Sequence, residues 1–260
     1  MTGRHAVVIR NERAAGLGNF EPVLLAHGYT IEVIDAEPSA GALPAAQGGT
    51  APSDTAQGGT GGFAAALAAA SGADLVIVLG SSRGVYENDR HDFIDPEIAF
   101  VRERLARSTP TLGVCFGAQV IAAALGAPVH PGPGADVGYR DVTPTADGLA
   151  SPLRHVAGVP MAEWHGDTFP LPEGTVRLAS SARYQNEAFG IGDWLLAVQF
   201  HPELTDEMHE QWLADDEAYV LNAGYSPAAL RADRETFGAG MQTASQRMLA
   251  DYLDRIARLG

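Results

Sequence analysis

Gly113-Val114-Cys115-Phe116-Gly117 closes the apolar run Thr109 to Val114 and opens a helical stretch reaching about Leu125. A buried strand that turns this sharply into a helix thrusts the residue at the corner out of the turn, and the two flanking glycines supply the room such a turn needs. The following helix directs its free N–H groups and positive dipole end at the sulfur of Cys115, which stabilises negative charge there. The N–H of Phe116 then becomes a candidate donor to a developing oxyanion. A lone cysteine is usually a small buried hydrophobe, but its place between two glycines at a strand-to-helix corner reverses that reading.

Outward from the corner, the chain alternates strand and helix. His5 to Arg10 reads as a strand, Phe20 to His27 as a helix, and Thr30 to Asp35 as a second strand. Phe63 to Ser71 reads as a small-residue helix, Asp74 to Leu79 as a buried strand, and Asp95 to Ser108 as a helix with Ile98, Val101 and Leu105 on its apolar face. This rhythm predicts an α/β fold with a mostly parallel central sheet covered by helices on both faces. Residues Ala127 to Ser181 carry short strands broken by Pro and Gly and suit antiparallel additions, and Trp194 to Phe200 reads as the last strand. Two departures from the rhythm remain. A Gly-rich loop insertion spans 36–62, where AQGGT occurs at Ala46 to Thr50 and again at Ala56 to Thr60. A helical C-terminal extension covers 205–260, packed on the domain formed by 1–204: Thr205 caps one helix, Ser226 and Pro227 open another, and Met241, Ser245, Met248, Leu249, Tyr252, Ile256 and Leu259 mark the packing face of a final helix.

Composition removes several function classes. The 260 residues carry 32 acidic and 17 basic side chains for a formal charge of −15, so phosphate backbones and anionic lipid are repelled. All the basic residues are arginine; without lysine there is no Walker lysine, Schiff-base lysine or pyridoxal-phosphate anchor. A single cysteine forms neither an intramolecular disulfide nor a Cys-based zinc site, and no apolar stretch reaches membrane-spanning length. The expectation is a cytoplasmic protein that uses no cofactor or metal and binds neither nucleic acid nor membrane.

A thiolate nucleophile needs a base, and the last strand leads into His201-Pro202-Glu203. Parallel strands collect their carboxyl ends along one edge, so residues far apart in sequence can meet there. Glu203, two residues on, is able to orient the imidazole and stabilise its protonated form, with Pro202 stiffening the link.

With these residues in view, the sequence resembles class I (triad) glutamine amidotransferases. GVCFGAQ at Gly113 to Gln119 is similar to the family's nucleophile motif and QFHPE at Gln199 to Glu203 to its His and Glu motif. HAVVIRNE, LVIVLGSSRGVYEND, EWHGDTFPLPEG and RLASSARYQNEAFGIG extend the likeness over nearly the whole chain, the nearest pattern being free-standing proteins similar to the amidotransferase domain of GMP synthase. The resemblance implies a class I amidotransferase-like (flavodoxin-like) fold and hydrolysis of the glutamine side-chain amide through a Cys γ-glutamyl thioester. It assigns Cys115 as nucleophile, His201 as base and acid, Glu203 as orienting carboxylate, Ser81 and Phe116 to the oxyanion hole, and Gly80, Gln119, Gly166 and Asp167 to substrate binding. His165 reads as a structural hydrogen-bonding histidine, and Trp164, Tyr184 and Phe189 as packing residues.

One departure matters. The family's oxyanion loop usually reads Gly-Gly-Pro, whereas here it reads Gly80-Ser81-Ser82, followed by Arg83. No ATP-pyrophosphatase signature is present, and the roughly 57 residues after Glu203 are too few for a synthase domain. Two partner readings follow: glutamine, with ammonia passed to a separate synthase subunit, or a larger γ-glutamyl compound cleaved by a self-sufficient hydrolase. A redox-sensing role for Cys115 is the reading from another class; it leaves His201 and Glu203 without purpose.

Overall fold

The computed structural model describes residues 3–37 and 60–259. In chain order the elements are β1 (Arg4–Arg10), α1 (Glu21–Ala26), β2 (Tyr29–Asp35), α2 (Thr60–Ala69), β3 (Leu75–Val78), α3 (Ile94–Ala106), β4 (Thr111–Val114) and α4 (Phe116–Ala124). After them come β5 (His130–Asp141), β6 (Thr143–Pro144), α5 (Ala146–Ala150), β7 (Pro160–Thr168), β8 (Val176–Ser180), β9 (Ala188–Ile191) and β10 (Leu195–Val198). The chain finishes with α6 (Asp206–Asp215), α7 (Glu217–Asn222) and α8 (Pro227–Ile256). Nearly all of the expected 36–62 insertion lies outside the described residues, and its last three residues belong to α2.

The main sheet has the order β2-β1-β3-β4-β10-β9-β8-β6. Its first five strands are mutually parallel, and β9, β8 and β6 add antiparallel at one side. Side chains alternate across the pleat, so each apolar strand feeds two cores. Ala6, Val8, Leu75 and Ile77 face a core shared with Phe20, Leu24 and the α8 residues Met248, Leu249, Tyr252 and Leu253. Val7, Ile9, Val76 and Val78 face the opposite core with Phe63 and Leu67 of α2, Val101 of α3 and Ile121 of α4. The middle segment forms a separate antiparallel pair, β5 with β7.

The C-terminal segment differs in detail from the expectation. Thr205 caps α6 as predicted, its side chain accepting from Met208 N–H. Beyond it, a single helix runs from Pro227 to Ile256 rather than starting near Met241. Met241, Ser245, Met248, Leu249, Tyr252 and Ile256 are buried, but Leu259 lies past the helix end and is 56% exposed. Tyr252 ties α8 to the sheet, its hydroxyl donating to the carbonyls of Thr111 (3.0 Å) and Trp194 (2.8 Å).

The corner between β4 and α4 rests on backbone contact. A Cβ on Gly117 would lie 2.0 Å from the carbonyl oxygen of Val78, and one on Gly113 would lie 2.7 Å from the Gly117 backbone. No side chain can be added at either position without moving a strand or the helix. Gly240, on the exposed side of α8, has nothing within 4 Å. Gly117→Ala is therefore expected to lose about 3 kcal/mol or more in urea unfolding, whereas Gly240→Ala gains up to about 1 kcal/mol from helix propensity.

Glu97 of α3 is fully buried, and its Oε1 accepts from Asn11 Nδ2 at 3.1 Å. Burial pushes its carboxyl up to about 8, against the weaker opposing pull of the Asn11 bond. The folded state then holds a proton that the unfolded chain releases near its ordinary value, so stability falls as pH rises from about 4.5 to about 8. Glu97→Gln is expected to raise the urea midpoint relative to wild type more at pH 8 than at pH 5.

Candidate active site

β3, β4 and β10 are neighbours and run parallel, so their carboxyl ends open on one edge. β4 delivers Cys115, β3 delivers Gly80 and Ser81, and β10 leads through Gln199 and Phe200 to His201; the last strand itself ends at Val198, two residues earlier than the sequence suggests. Cys115 adopts φ 52°, ψ −108°, a strained backbone for a residue with a Cβ. Its N–H is fixed by the carbonyl of Val198 at 2.8 Å. The turn thus holds the sulfur side chain in one direction, as the glycine pair around it predicts.

His201 is buried against this turn. Its Nδ1 lies 2.7 Å from Glu203 Oε1, which leaves Nε2 free of that carboxylate, and Cys115 is near enough to act electrostatically on the ring. Burial pulls the imidazole down, but the Glu203 carboxylate and Cys115 outweigh it and hold His201 well above the ordinary histidine value. The ring is wedged from two sides: a Cβ on Gly80 would lie 3.1 Å from its Cε1, and the Trp212 ring meets it edge-on with centroids 4.7 Å apart. Its backbone N–H donates to Ala162 of β7 at 2.7 Å.

The segment carrying Glu203 is clamped by the turn before α1. Asn19 Nδ2 donates to the carbonyls of Pro202 (2.8 Å) and Leu204 (3.2 Å), and Asn19 N–H donates to Glu203 O at 2.9 Å. Gly18, at φ 49°, comes so close that a Cβ would lie 2.0 Å from that same oxygen. No pattern within the first forty residues marks Asn19 for this task, because its partners lie about 180 positions away.

A cavity of about 470 Å³ opens above these residues, lined by Gly80, Ser81, Cys115, Gln119, Gly166 and Asp167 among others. Gln119 is buried, 3.4 Å from Gln199, with its Oε1 lacking a partner among the described residues. Gly166 O accepts from Tyr184 at 3.2 Å, and the Asp167 carboxylate accepts from Tyr86 at 3.3 Å. Burial raises the Asp167 carboxyl, partly offset by the Tyr86 bond. The Phe116 ring packs in the core against Phe93; as the first residue of α4 its N–H has no acceptor within the helix. In the Gly80–Arg83 loop the extra hydroxyls are used: Ser81 Oγ accepts from Arg83 N–H at 3.1 Å, and Ser82 Oγ donates to Glu12 Oε1 at 3.3 Å.

Several lining residues were not foreseen. Trp212 and Asp215 come from α6, Asp216 from the link after it and Tyr219 from α7, so the C-terminal segment roofs the cavity besides covering the sheet. Trp164, read as packing, also lines it: its Nε1 donates to Asp216 at 3.0 Å and its ring stacks edgewise on Trp212. His165 is buried with Nδ1 on Asp167 O, consistent with a hydrogen-bonding histidine.

Because His201 is held above its ordinary value, its pairing contributes stability that is complete below about pH 6.5 and is lost as pH rises through the raised folded-state value. Glu203→Gln is expected to cost about 3–5 kcal/mol at pH 6 and less as pH climbs. Urea unfolding across pH 6–10, together with the imidazole NMR titration of His201, checks this; an equal cost at every pH would contradict it.

Among the described residues no helix is long and apolar enough to cross a membrane. The family model for glutamine amidotransferase class-I matches residues 63–220. YLR126C of Saccharomyces cerevisiae, which carries a glutamine amidotransferase name, is 34% identical over 143 residues, covering 50% of this chain and 56% of its own length. GMP synthase [glutamine-hydrolyzing] of Christiangramia forsetii is 36% identical over 138 residues, 52% of this chain but 25% of that protein. Gamma-glutamyl peptidase 3 of Arabidopsis thaliana is 35% identical over 104 residues, 37% of this chain and 42% of its own. The chain thus spans about half or less of the length of these relatives. In fold it is similar to a glutamine amidotransferase from Thermotoga maritima, with a TM-score of 0.77 at 23% identity, covering 98% of this chain and all of that one. With the family model matching more than half of its length, this chain belongs to the class-I glutamine amidotransferases.

Proposed function

We propose that the chain hydrolyses the side-chain amide of glutamine, with Cys115 as nucleophile, His201 as general base and acid, and Glu203 as the carboxylate that orients the imidazole. The observation that carries this reading is the set at the base of the cavity: Glu203 on Nδ1 of His201 at 2.7 Å, with the ring and Cys115 meeting beside Gly80, where an added Cβ would lie 3.1 Å from His201 Cε1 and 3.8 Å from Cys115 Cβ. In the proposed reaction the sulfur attacks the amide carbon while its proton passes to His201 Nε2. The resulting oxyanion is held by the N–H groups of Phe116 and Ser81. His201 returns the proton to the leaving nitrogen, ammonia departs, and a γ-glutamyl thioester remains on Cys115. Water, deprotonated by His201, then attacks the thioester; glutamate leaves and the thiol is restored, so that glutamine and water become glutamate and ammonia.

Glutamine would lie with its amide near Gly80 and Gln119 and its α-amino and α-carboxylate groups near Gly166 and Asp167, all of which line the one cavity. The unpartnered Oε1 of Gln119 offers an acceptor to the substrate. Ammonia would pass to a synthase on another chain, as the GMP synthase relative suggests by its name.

A second reading, a self-sufficient hydrolase of a larger γ-glutamyl compound, is favoured by the volume of the cavity, about 470 Å³. Its lining also includes Glu12, Arg83, Tyr86 and Tyr219, and a relative bears the name of a gamma-glutamyl peptidase.

Purified chain should release ammonia from L-glutamine, and Cys115→Ser should lower kcat by about 10³-fold or more. Glu203→Gln should lower it by about 10²- to 10⁴-fold, the cost of a misoriented imidazole. A γ-glutamyl amide panel run alongside separates the readings: preference for glutamine supports the first, and Cys115-dependent turnover of only the larger compounds supports the second. Ammonia release undiminished in Cys115→Ser would contradict both.

A further inference from the structure

Along the strand that lines the cavity with His165, three side chains converge without the partners their burial requires. Glu163 and His165 project from β7, and Glu187 sits one residue before β9; all three are buried, the carboxylates completely. His165 Nε2 lies 3.2 Å from Glu163 Oε2 and 3.7 Å from Glu187 Oε2, and all the inward-facing atoms lie within 4.8 Å of one another. Yet among the described residues both oxygens of Glu163, both of Glu187 and Nε2 of His165 lack a hydrogen-bond partner. The atoms are close but not aligned as donor and acceptor, and an uncompensated charge so deeply buried costs several kcal/mol.

The far side of the imidazole identifies what is missing. His165 Nδ1 faces the carbonyl of Asp167 at 3.1 Å, and a carbonyl only accepts, so the ring proton is on Nδ1. Nε2 then presents a lone pair toward two carboxylates. An imidazole fixed by a carbonyl on one nitrogen, with its other nitrogen free, is the usual preparation of a metal-binding histidine. Tyr184 stacks on the ring at 4.4 Å between centroids, and its hydroxyl is held by the carbonyls of Gly134 and Gly166, so the ring cannot turn away.

We propose that Glu163, His165 and Glu187 form a binding site for one divalent transition-metal ion, zinc foremost. Ligands at about 2.0–2.1 Å around tetrahedral zinc sit ~3.3 Å apart, close to the spacings found here. Two carboxylates neutralise the ion's charge, and an imidazole with carboxylates favours zinc over magnesium, which prefers all-oxygen surroundings and retained water. His165 borders the cavity, the side from which an ion would enter. The ion would pin β7 to the start of β9, stiffening the strand that carries Gly166 and Asp167 and whose Ala162 carbonyl holds His201 N–H. This site shares no ligand with the Cys115–His201–Glu203 set and stands whichever substrate the cavity takes.

The test uses the full chain carrying Cys115→Ser, which removes the thiol as a competing ligand. Stripped of metal by chelator dialysis and titrated calorimetrically with zinc chloride, it should bind one equivalent, with magnesium chloride giving no comparable heat. Adding Glu163→Gln or Glu187→Gln should weaken zinc binding at least tenfold while the metal-free circular dichroism and melting temperature stay near those of the parent. Glu187→Asp, which keeps the charge but shortens the reach, guards against a folding defect in the amide variant. X-ray absorption on zinc-loaded wild type should show imidazole and oxygen ligands and no sulfur. Absence of zinc uptake by the Cys115→Ser chain would overturn the proposal and leave the cluster held by shared protons; so would uptake unchanged in both glutamine variants, or a sulfur ligand at the zinc.

Discussion

The approach of Gly117 to the carbonyl of Val78 is the contact on which the site depends. It brings the first turn of α4 directly onto the backbone end of β3, which leaves no width for a side chain and forces the connection through Cys115 into a positive φ. Given that contact, the remaining geometry follows from a parallel sheet. β3, β4 and β10 end side by side, so the Gly80–Ser81 turn, Cys115 and His201 emerge within reach of one another. The strain at Cys115 is offset by the two cores that sandwich these strands, each contributing fully buried aliphatic side chains at roughly 1.5–3 kcal/mol apiece.

A second layer of constraint comes from distant parts of the chain. Asn19 and Gly18 fix the backbone on either side of Glu203 from the opposite end of the sequence, and Trp212 confines the His201 ring from α6. The catalytic geometry proposed here therefore needs the N-terminal turn and the C-terminal helices as much as the sheet edge. This division of labour also places part of the cavity wall, through Tyr219 and Asp216, on segments outside the βα framework that carries Cys115.

Much of this was legible in the residues alone. The parallel sheet shows in short β-branched runs that recur at helical distance, and the corner shows in two glycines flanking one cysteine. His201 and Glu203 show because they follow a strand whose end must lie beside that corner. What stayed hidden depends on contacts between segments with no local pattern. Trp212 and Tyr219 carry no local signal that marks them until α6 and α7 are seen folded over the cavity. Glu163 and Glu187 read as one strand residue and one loop residue, 24 positions apart, until β7 and β9 bring them to the same imidazole. Leu259 failed as a core residue because a helical stripe does not by itself reveal where the helix stops. The hydroxyls of Ser81 and Ser82, a departure from the family's usual loop, turn out to bond Arg83 N–H and the Glu12 carboxylate.

The most direct test of the central claim is covalent capture of the proposed nucleophile. The full chain would be incubated with a glutamine analogue bearing an electrophilic carbon in place of the amide, and the modified peptide identified by mass spectrometry. The account predicts one adduct per chain, located on Cys115, slowed by added glutamine and by His201→Ala. An adduct that forms on Cys115 equally fast in His201→Ala and in the presence of saturating glutamine would mean an ordinary exposed thiol rather than an activated one in a glutamine site, and would contradict it.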